Sequence, residues 1–320
     1  MTDPAPRRLE NFPVTFFAVV MGMTGFALAL HAAEVGLGLT AVMSTSVYVL
    51  SVALFLLIAA VYLVKFARHP RAVAGEWHHP VKLAFFPAIS ISLLLLATAT
   101  LPRDTVAAEA LWLAGGALQV ILTVAVVSGW IGARSFLHGH LSPAWFIPAV
   151  GNVIVPVAGV PLGYPEVSWF FMSAGLIFWV VLLTLVMNRL IFHDPLPGRL
   201  QPTLVILIAP PAVAYLAWLK LVGEPGAFGR ILLNGAYLFT LIVAVQLPRI
   251  VKLPFAMSFW ALSFPFAAVT IASFAHAGAT GAEAYLWLGV GLLAVLAVII
   301  AALVLRTLAA IRAGEICQPE

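Results

Sequence analysis

Ten runs of about twenty apolar residues, separated by short joints rich in glycine, proline and charge, leave this chain few ways to fold. They lie near 12–32, 40–64, 83–101, 106–133, 144–162, 166–191, 203–222, 228–247, 256–277 and 283–305. A bilayer offers no water to unpaired backbone groups, so a run of this length predicts a helix that spans it. Charged residues make up only 9% of the 320, against roughly 25% in a soluble protein, which leaves little room for a soluble domain. The expectation is an all-α polytopic membrane protein: one transmembrane domain over 1–320, with short tails at 1–11 and 307–320. Arg7, Arg8 and the Ala27-Leu28-Ala29 triplet mimic a secretory signal, but 12–30 exceeds the ~7–15 apolar residues of a signal core and reads as the first span.

Charge checks the count independently. If the N-terminus and every loop from an even to an odd span share one side, that side holds 13 of the 16 Lys and Arg. Arg103, Lys220 and Arg230 make up the other side. The acidic residues divide six and six. A miscounted span would scramble this sorting. The positive-inside rule then puts both termini in the cytoplasm, with the chain integral to the plasma (inner) membrane.

Prolines sort as well. Odd spans carry Pro87, Pro148 and Pro156, Pro210 and Pro211, and Pro265, while Pro165, Pro225 and Pro248 stand at or beyond the ends of even spans. The first span has Pro13 in its opening turn and Gly22 and Gly25 inside. A proline within a helix removes a hydrogen bond, and a membrane tolerates that where the backbone is buried in protein or faces water. The pattern predicts five helical hairpins, each pairing a kinked helix with a straight one. The kinked odd helices would form an inner ring around a central pore, lined at Pro87, Pro148, Pro156, Pro210 and Pro265. The stretch SFWALSFPFAAVTIASF, Ser258 to Phe274, sets Phe264 directly before Pro265, and the expected bend aims that ring across the pore.

No Asp, Glu, Lys or Arg falls near an odd-span centre, so a carboxylate proton relay or cation filter has nothing to be built from. Hydroxyls and one amide remain, with Asn152, Ser263 and Thr270 as candidate polar contacts in the pore. Behind a basic mouth, such a bore suits small anions. Glu76, His78 and His79 in GEWHHPVK have metal-ligand chemistry but no second pair at zinc-like spacing, and read as helix-start or loop residues, so no metal is expected. His31 and His276, at outer span ends, have the chemistry of pH sensors, though an interfacial histidine is the commoner case. Trp77, Trp112, Trp145, Trp169 and Trp287 read as interfacial anchors. Cys317 is the single cysteine, which excludes an intrachain disulfide. No cofactor motif, catalytic constellation or nucleic-acid patch stands out, so the partners expected are small anions and membrane lipid.

Four stretches carry a family resemblance: FPVTFFAVVMG from Phe12, HPVKLAFFPAIS from His79, LPGRLQPTLVILIAPPAVA from Leu196 and SFWALSFPFA from Ser258. With them the chain resembles the tellurite-resistance/dicarboxylate transporter family, the TehA-like proteins that include the plant slow anion channels. The resemblance implies ten spans in five hairpins and a homotrimer with one pore per subunit. It also implies an occluding phenylalanine in the ninth helix, which by motif falls on Phe264. The long charged tails of the plant channels are missing, so control by tail phosphorylation is not expected. The leading expectation is a passive pathway for small anions. Its rival is a proton-coupled secondary transporter of C4-dicarboxylates or tellurium oxyanions.

Overall fold

A computed structural model describes residues 8–132 and 136–318; Arg7 and Arg134, counted in the charge sorting, lie outside them. Eleven α-helices follow one another among these residues: α1 (Phe17–Leu37), α2 (Val42–Arg68), α3 (Pro70–His78), α4 (Ala88–Thr100), α5 (Thr105–Ile131), α6 (Phe146–Gly159), α7 (Pro165–Phe192), α8 (Ala209–Val222), α9 (Gly226–Ile250), α10 (Ser263–Thr280) and α11 (Glu283–Ala313). Among the described residues, nine segments are long and apolar enough to cross a membrane. The run expected at 144–162 is shorter, an apolar helix over Pro143–Gly159 that includes the turn before α6. At 1.5 Å per residue it measures about 25 Å, near the lower limit for a span.

Two kinds of helix alternate. The first kind, α2, α5, α7, α9 and α11, runs for 25 to 31 residues without interruption. The second kind, α1, α4, α6, α8 and α10, is shorter, and a 3₁₀ turn precedes each: Val14–Phe16, Lys82–Phe85, Pro143–Trp145, Gly198–Ile208 and Met257–Leu262. Each short helix packs along the long one that follows it. The short helices also touch in succession, α1 on α4, α4 on α6, α6 on α8, α8 on α10, and α10 back on α1.

The prolines take positions other than the mid-helix ones expected. Pro87 caps α4, Pro210 is the second residue of α8, and Pro148 and Pro265 are the third residues of α6 and α10. The first four N–H groups of a helix have no partner inside it, so a proline there forfeits no hydrogen bond. The irregularity therefore lies in the 3₁₀ turns, with the prolines at their junctions with the α-helices. Pro156 alone among the five kink candidates stands inside an α-helix. Pro248, expected beyond a helix end, is inside α9, which continues to Ile250.

Burial separates the two kinds of helix. In the segments that contain α1, α4, α8 and α10, 67–83% of the most apolar window is buried, whereas in the long helices it is 17–28%. Close approach accounts for part of this. A Cβ at Gly22 would stand 2.2 Å from Ser263 Oγ, and one at Gly25 3.0 Å from the Ala267 Cβ and 3.3 Å from Phe264 Cδ2. These two glycines form the groove on α1 in which α10 lies, the small-residue packing that membrane helices use.

Candidate functional site

The short helices and their entry turns enclose a cavity of about 470 Å³, including the space open toward solvent. All five contribute to its wall: Met21 from α1, Ile91 from α4, Ile147 from α6, Ile206 and Ala209 at the start of α8, and Trp260, Phe264 and Pro265 at the start of α10. The lining is apolar. Its one side chain with a polar hydrogen, Trp260, donates that hydrogen to Thr307 Oγ1 at 3.0 Å on α11, so the cavity meets the indole carbons.

Phe264, the expected gate, belongs to this wall and is 5% exposed. Pro265 lines the cavity beside it. Pro87, Pro148 and Pro210 are buried just outside the lining, each next to a residue that belongs to it: Ala88, Ile147 and Ala209. Pro156 lies nine positions along α6 from Ile147, about 13 Å of helix, and takes no part.

The three polar candidates are not in the lining. Ser263 Oγ donates to the Trp260 carbonyl at 2.6 Å and Thr270 Oγ1 to the Phe266 carbonyl at 2.7 Å, each within its own segment. Asn152 Nδ2 donates to the Pro148 carbonyl at 2.9 Å and to Thr123 Oγ1 at 3.2 Å on α5. The second of these bonds ties α6 to α5. Gln119 of α5, which sequence reasoning passed over, joins this cluster. It accepts from Ser90 Oγ at 2.6 Å and donates to the Pro148 carbonyl at 2.9 Å, tying α5 to α4 and α6. Gly151 leaves it the space, since a Cβ there would stand 2.4 Å from Gln119 Nε2.

Near the 3₁₀ entry to α1 stands a second polar cluster that the sequence did not reveal. Glu76, expected in a loop, lies on α3 and is buried. Lys65 Nζ is 3.0 Å from its Oε2 and donates to the Phe12 carbonyl at 2.9 Å. Tyr62 Oη donates to Oε2 at 2.9 Å and the Val14 amide to Oε1 at 3.3 Å. The pair thus clasps the backbone on both sides of Pro13. Lys65 and Arg189, two of the 13 basic residues on the side read as cytoplasmic, are both buried, and Arg189 donates to the Asp194 carbonyl. Their stems and charges are spent inside the fold.

Trp112 and Trp145 also depart from expectation. They are buried between helices rather than at an interface, with Trp112 Nε1 donating to the Val155 carbonyl at 2.9 Å. Trp169 and Trp287 are exposed, as interfacial residues would be. His276 shares a 2.6 Å hydrogen bond with Tyr215 and packs edge-on against Tyr285. Among the described residues no group of three His, Cys, Asp or Glu could hold a metal ion.

The profile of the SLAC1 family, described as voltage-dependent anion channel, matches residues 11–308. This chain belongs to that family. Among its relatives, the S-type anion channel SLAH3 of Arabidopsis thaliana is 29% identical over 84% of this chain and 44% of its own. An uncharacterized transporter of Methanocaldococcus jannaschii is 25% identical, covering 80% of this chain and 82% of its own. The tellurite resistance protein TehA homolog of Haemophilus influenzae is 24% identical, covering 84% and 81%. The chain therefore spans most of the archaeal and bacterial relatives but about half of the plant channels SLAH3 and SLAH2. As a member of the SLAC1 family it is an integral membrane protein of the anion channel and transporter class, and the resemblance read from its four motifs holds.

Proposed function

We propose that this chain conducts small anions through the cavity enclosed by its short helices, and that the Phe264 ring closes the passage. The observation that carries this reading is that one apolar cavity draws its wall from all five short helices and has Phe264 in it. In the proposed arrangement ten spans form five hairpins, α6 being a short fifth span, and the helices with 3₁₀ entries make an inner ring. Both termini face the cytoplasm of the inner membrane, and three copies assemble with a pore in each.

An anion cannot keep its hydration in so narrow and apolar a space, and an unhydrated charge in such surroundings is costly. The constriction therefore gates by dewetting. Opening requires the ring to leave the axis. The slack for that lies in the Met257–Leu262 turn, where the backbone departs from the α-helix immediately before Phe264.

The test is anion current, or flux into liposomes, through Phe264→Ala. Truncating the ring widens the constriction, and each ~1.4 kcal/mol removed from the barrier raises the rate tenfold, so a rise of about tenfold or more is expected, with selectivity little changed. Unchanged current at normal expression would remove Phe264 from the mechanism. The relatives' names, a transporter in the archaeon and a tellurite resistance protein in the bacterium, keep a second reading in view: a proton-coupled transporter of dicarboxylates or tellurium oxyanions. No titratable side chain lines the cavity, which weighs against coupling there. Flux that vanishes without a pH gradient would favour the transporter.

A further inference from the structure

A second, smaller cavity lies at the opposite end of α2 from the Lys65–Glu76 pair, where α1, α2 and the turn after α4 meet. Its volume is about 200 Å³, including the space open toward solvent, and it shares no lining residue with the central cavity.

Four lining side chains carry polar atoms, and the Tyr48 hydroxyl already shares a 2.9 Å hydrogen bond with Thr100 Oγ1, which leaves three. Ser44, in the first turn of α2, is 1% exposed and lines the cavity, yet its Oγ has no hydrogen-bond partner. His31 of α1 lines it too, with a buried Nδ1 that also lacks a partner. Arg103, one of three basic residues assigned to this side, completes the set. Its guanidinium is held in place by bonds to the Ala99 carbonyl at 2.6 Å and Thr45 Oγ1 at 2.9 Å, and lies over the Tyr48 ring. Buried hydroxyls and ring nitrogens in folded proteins almost always have a partner, often an ordered water or ion. Two orphans on residues that line one space can each donate, and the fixed Arg103 beside them only donates, so the matching ligand is one that accepts hydrogen bonds.

The surroundings limit that ligand. Glu34 does not line the cavity, but it stands close by. Its Oε1 accepts from the Met43 and Ser44 amides at 2.9 and 3.0 Å, so the α2 N-terminus is already capped, and its Oε2 has no partner. A carboxylate next to the site disfavours a multiply charged guest, and Arg103 disfavours a cation. The remaining lining includes Ala27, Leu28, Ala99 and Pro102, which suits a weakly hydrated ion. We propose that this cavity binds one small monovalent anion of halide or nitrate size. The Ser44 hydroxyl, the His31 Nδ1–H and the Arg103 guanidinium hold it, and the anion joins α1 to α2 and α4. His31 donates in its Nδ1–H tautomer or as imidazolium.

The purified full-length chain is titrated with sodium bromide, and with sodium gluconate at equal ionic strength as an anion too large to enter. A ligand that binds only the folded state raises Tm in a saturable way. Bromide should do so and gluconate should not. Ser44→Ala, which removes a hydroxyl that makes no bond within the protein, should raise the half-saturating bromide concentration about tenfold, as loss of one hydrogen bond to a charged group implies. Arg103→Gln should abolish saturation. In crystals grown with bromide, an anomalous peak should lie among Ser44, His31 and Arg103. The proposal is overturned if the saturable rise survives unchanged in both variants, which would assign it to another site. It is equally overturned if the cavity holds only water or a lipid phosphodiester in place of bromide.

Discussion

Helices α2 and α4, separated in the chain by the short α3 and a 3₁₀ turn, are both made mostly of aliphatic residues, and they sit in the fold in opposite ways. In α4, Ile91, Leu94, Leu95 and Leu96 are all buried, while in α2, Leu56, Leu57 and Leu63 are each more than 60% exposed. The most apolar stretch of the exposed helix, with mean hydropathy 2.7, exceeds that of the segment containing the buried one, 2.0. In water the order would be reversed. In a bilayer the surroundings are as apolar as leucine, so hydrophobicity gives no preference for the interior. What holds the interior helices together is close fit, as of Gly22 and Gly25 against α10 and of Gly151 against Gln119. The long helices need only remain soluble in lipid.

The largest effect in that contrast should come from the clasp at the α1 entry. Glu76→Ala leaves the buried Lys65 ammonium without its counter-ion, a loss of about 3–5 kcal/mol, measurable as a lower unfolding midpoint in detergent. Glu76→Gln, which keeps an acceptor for Tyr62, should cost less. A wild-type midpoint in Glu76→Ala would mean that the pair does not hold the entry of α1.

A pair of identical substitutions sharpens the comparison further. Gly22→Ala puts a methyl 2.2 Å from Ser263 Oγ and 3.0 Å from the Trp260 ring, and overpacking of that kind costs about 1–3 kcal/mol. Gly291→Ala on α11 meets nothing within 4 Å, and the better helix propensity of alanine should leave stability unchanged or raise it by up to ~1 kcal/mol. Equal shifts in Tm for the two would erase the distinction between inner and outer helices. The smallest effect belongs to Leu57→Ala, 61% exposed on α2, which should stay within about 0.5 kcal/mol of wild type.

Much of the fold was legible beforehand, for a reason that these helices illustrate. Backbone groups in a bilayer must pair locally, so each long apolar run announces a helix regardless of what packs on it. Nine of the ten runs became segments long enough to span, and the tenth became the shorter α6 with its entry turn. Proline placement correctly marked which helices differ from the rest. It misjudged how, because Pro265 and Pro210 follow 3₁₀ turns instead of interrupting α-helices. The site was half legible. Phe264 lines the cavity, whereas Asn152, Ser263 and Thr270 do not, since a hydroxyl or amide in an apolar run has the same local signature whether it faces a bore or bonds a neighbour.

By itself, then, the order of residues determined the apolar segments, the joints between them and the family, because each depends on local hydrophobicity and motif. Only the assembled helices decided that Lys65 and Glu76 would meet, that Gln119 would join α5 to α4 and α6, and which side of each rod would be covered. Such pairings join groups on different elements, 62 positions apart in the case of the Val14 backbone amide and the Glu76 carboxylate. In a chain whose core and surroundings are equally oily, no periodicity of polar and apolar residues records them in advance.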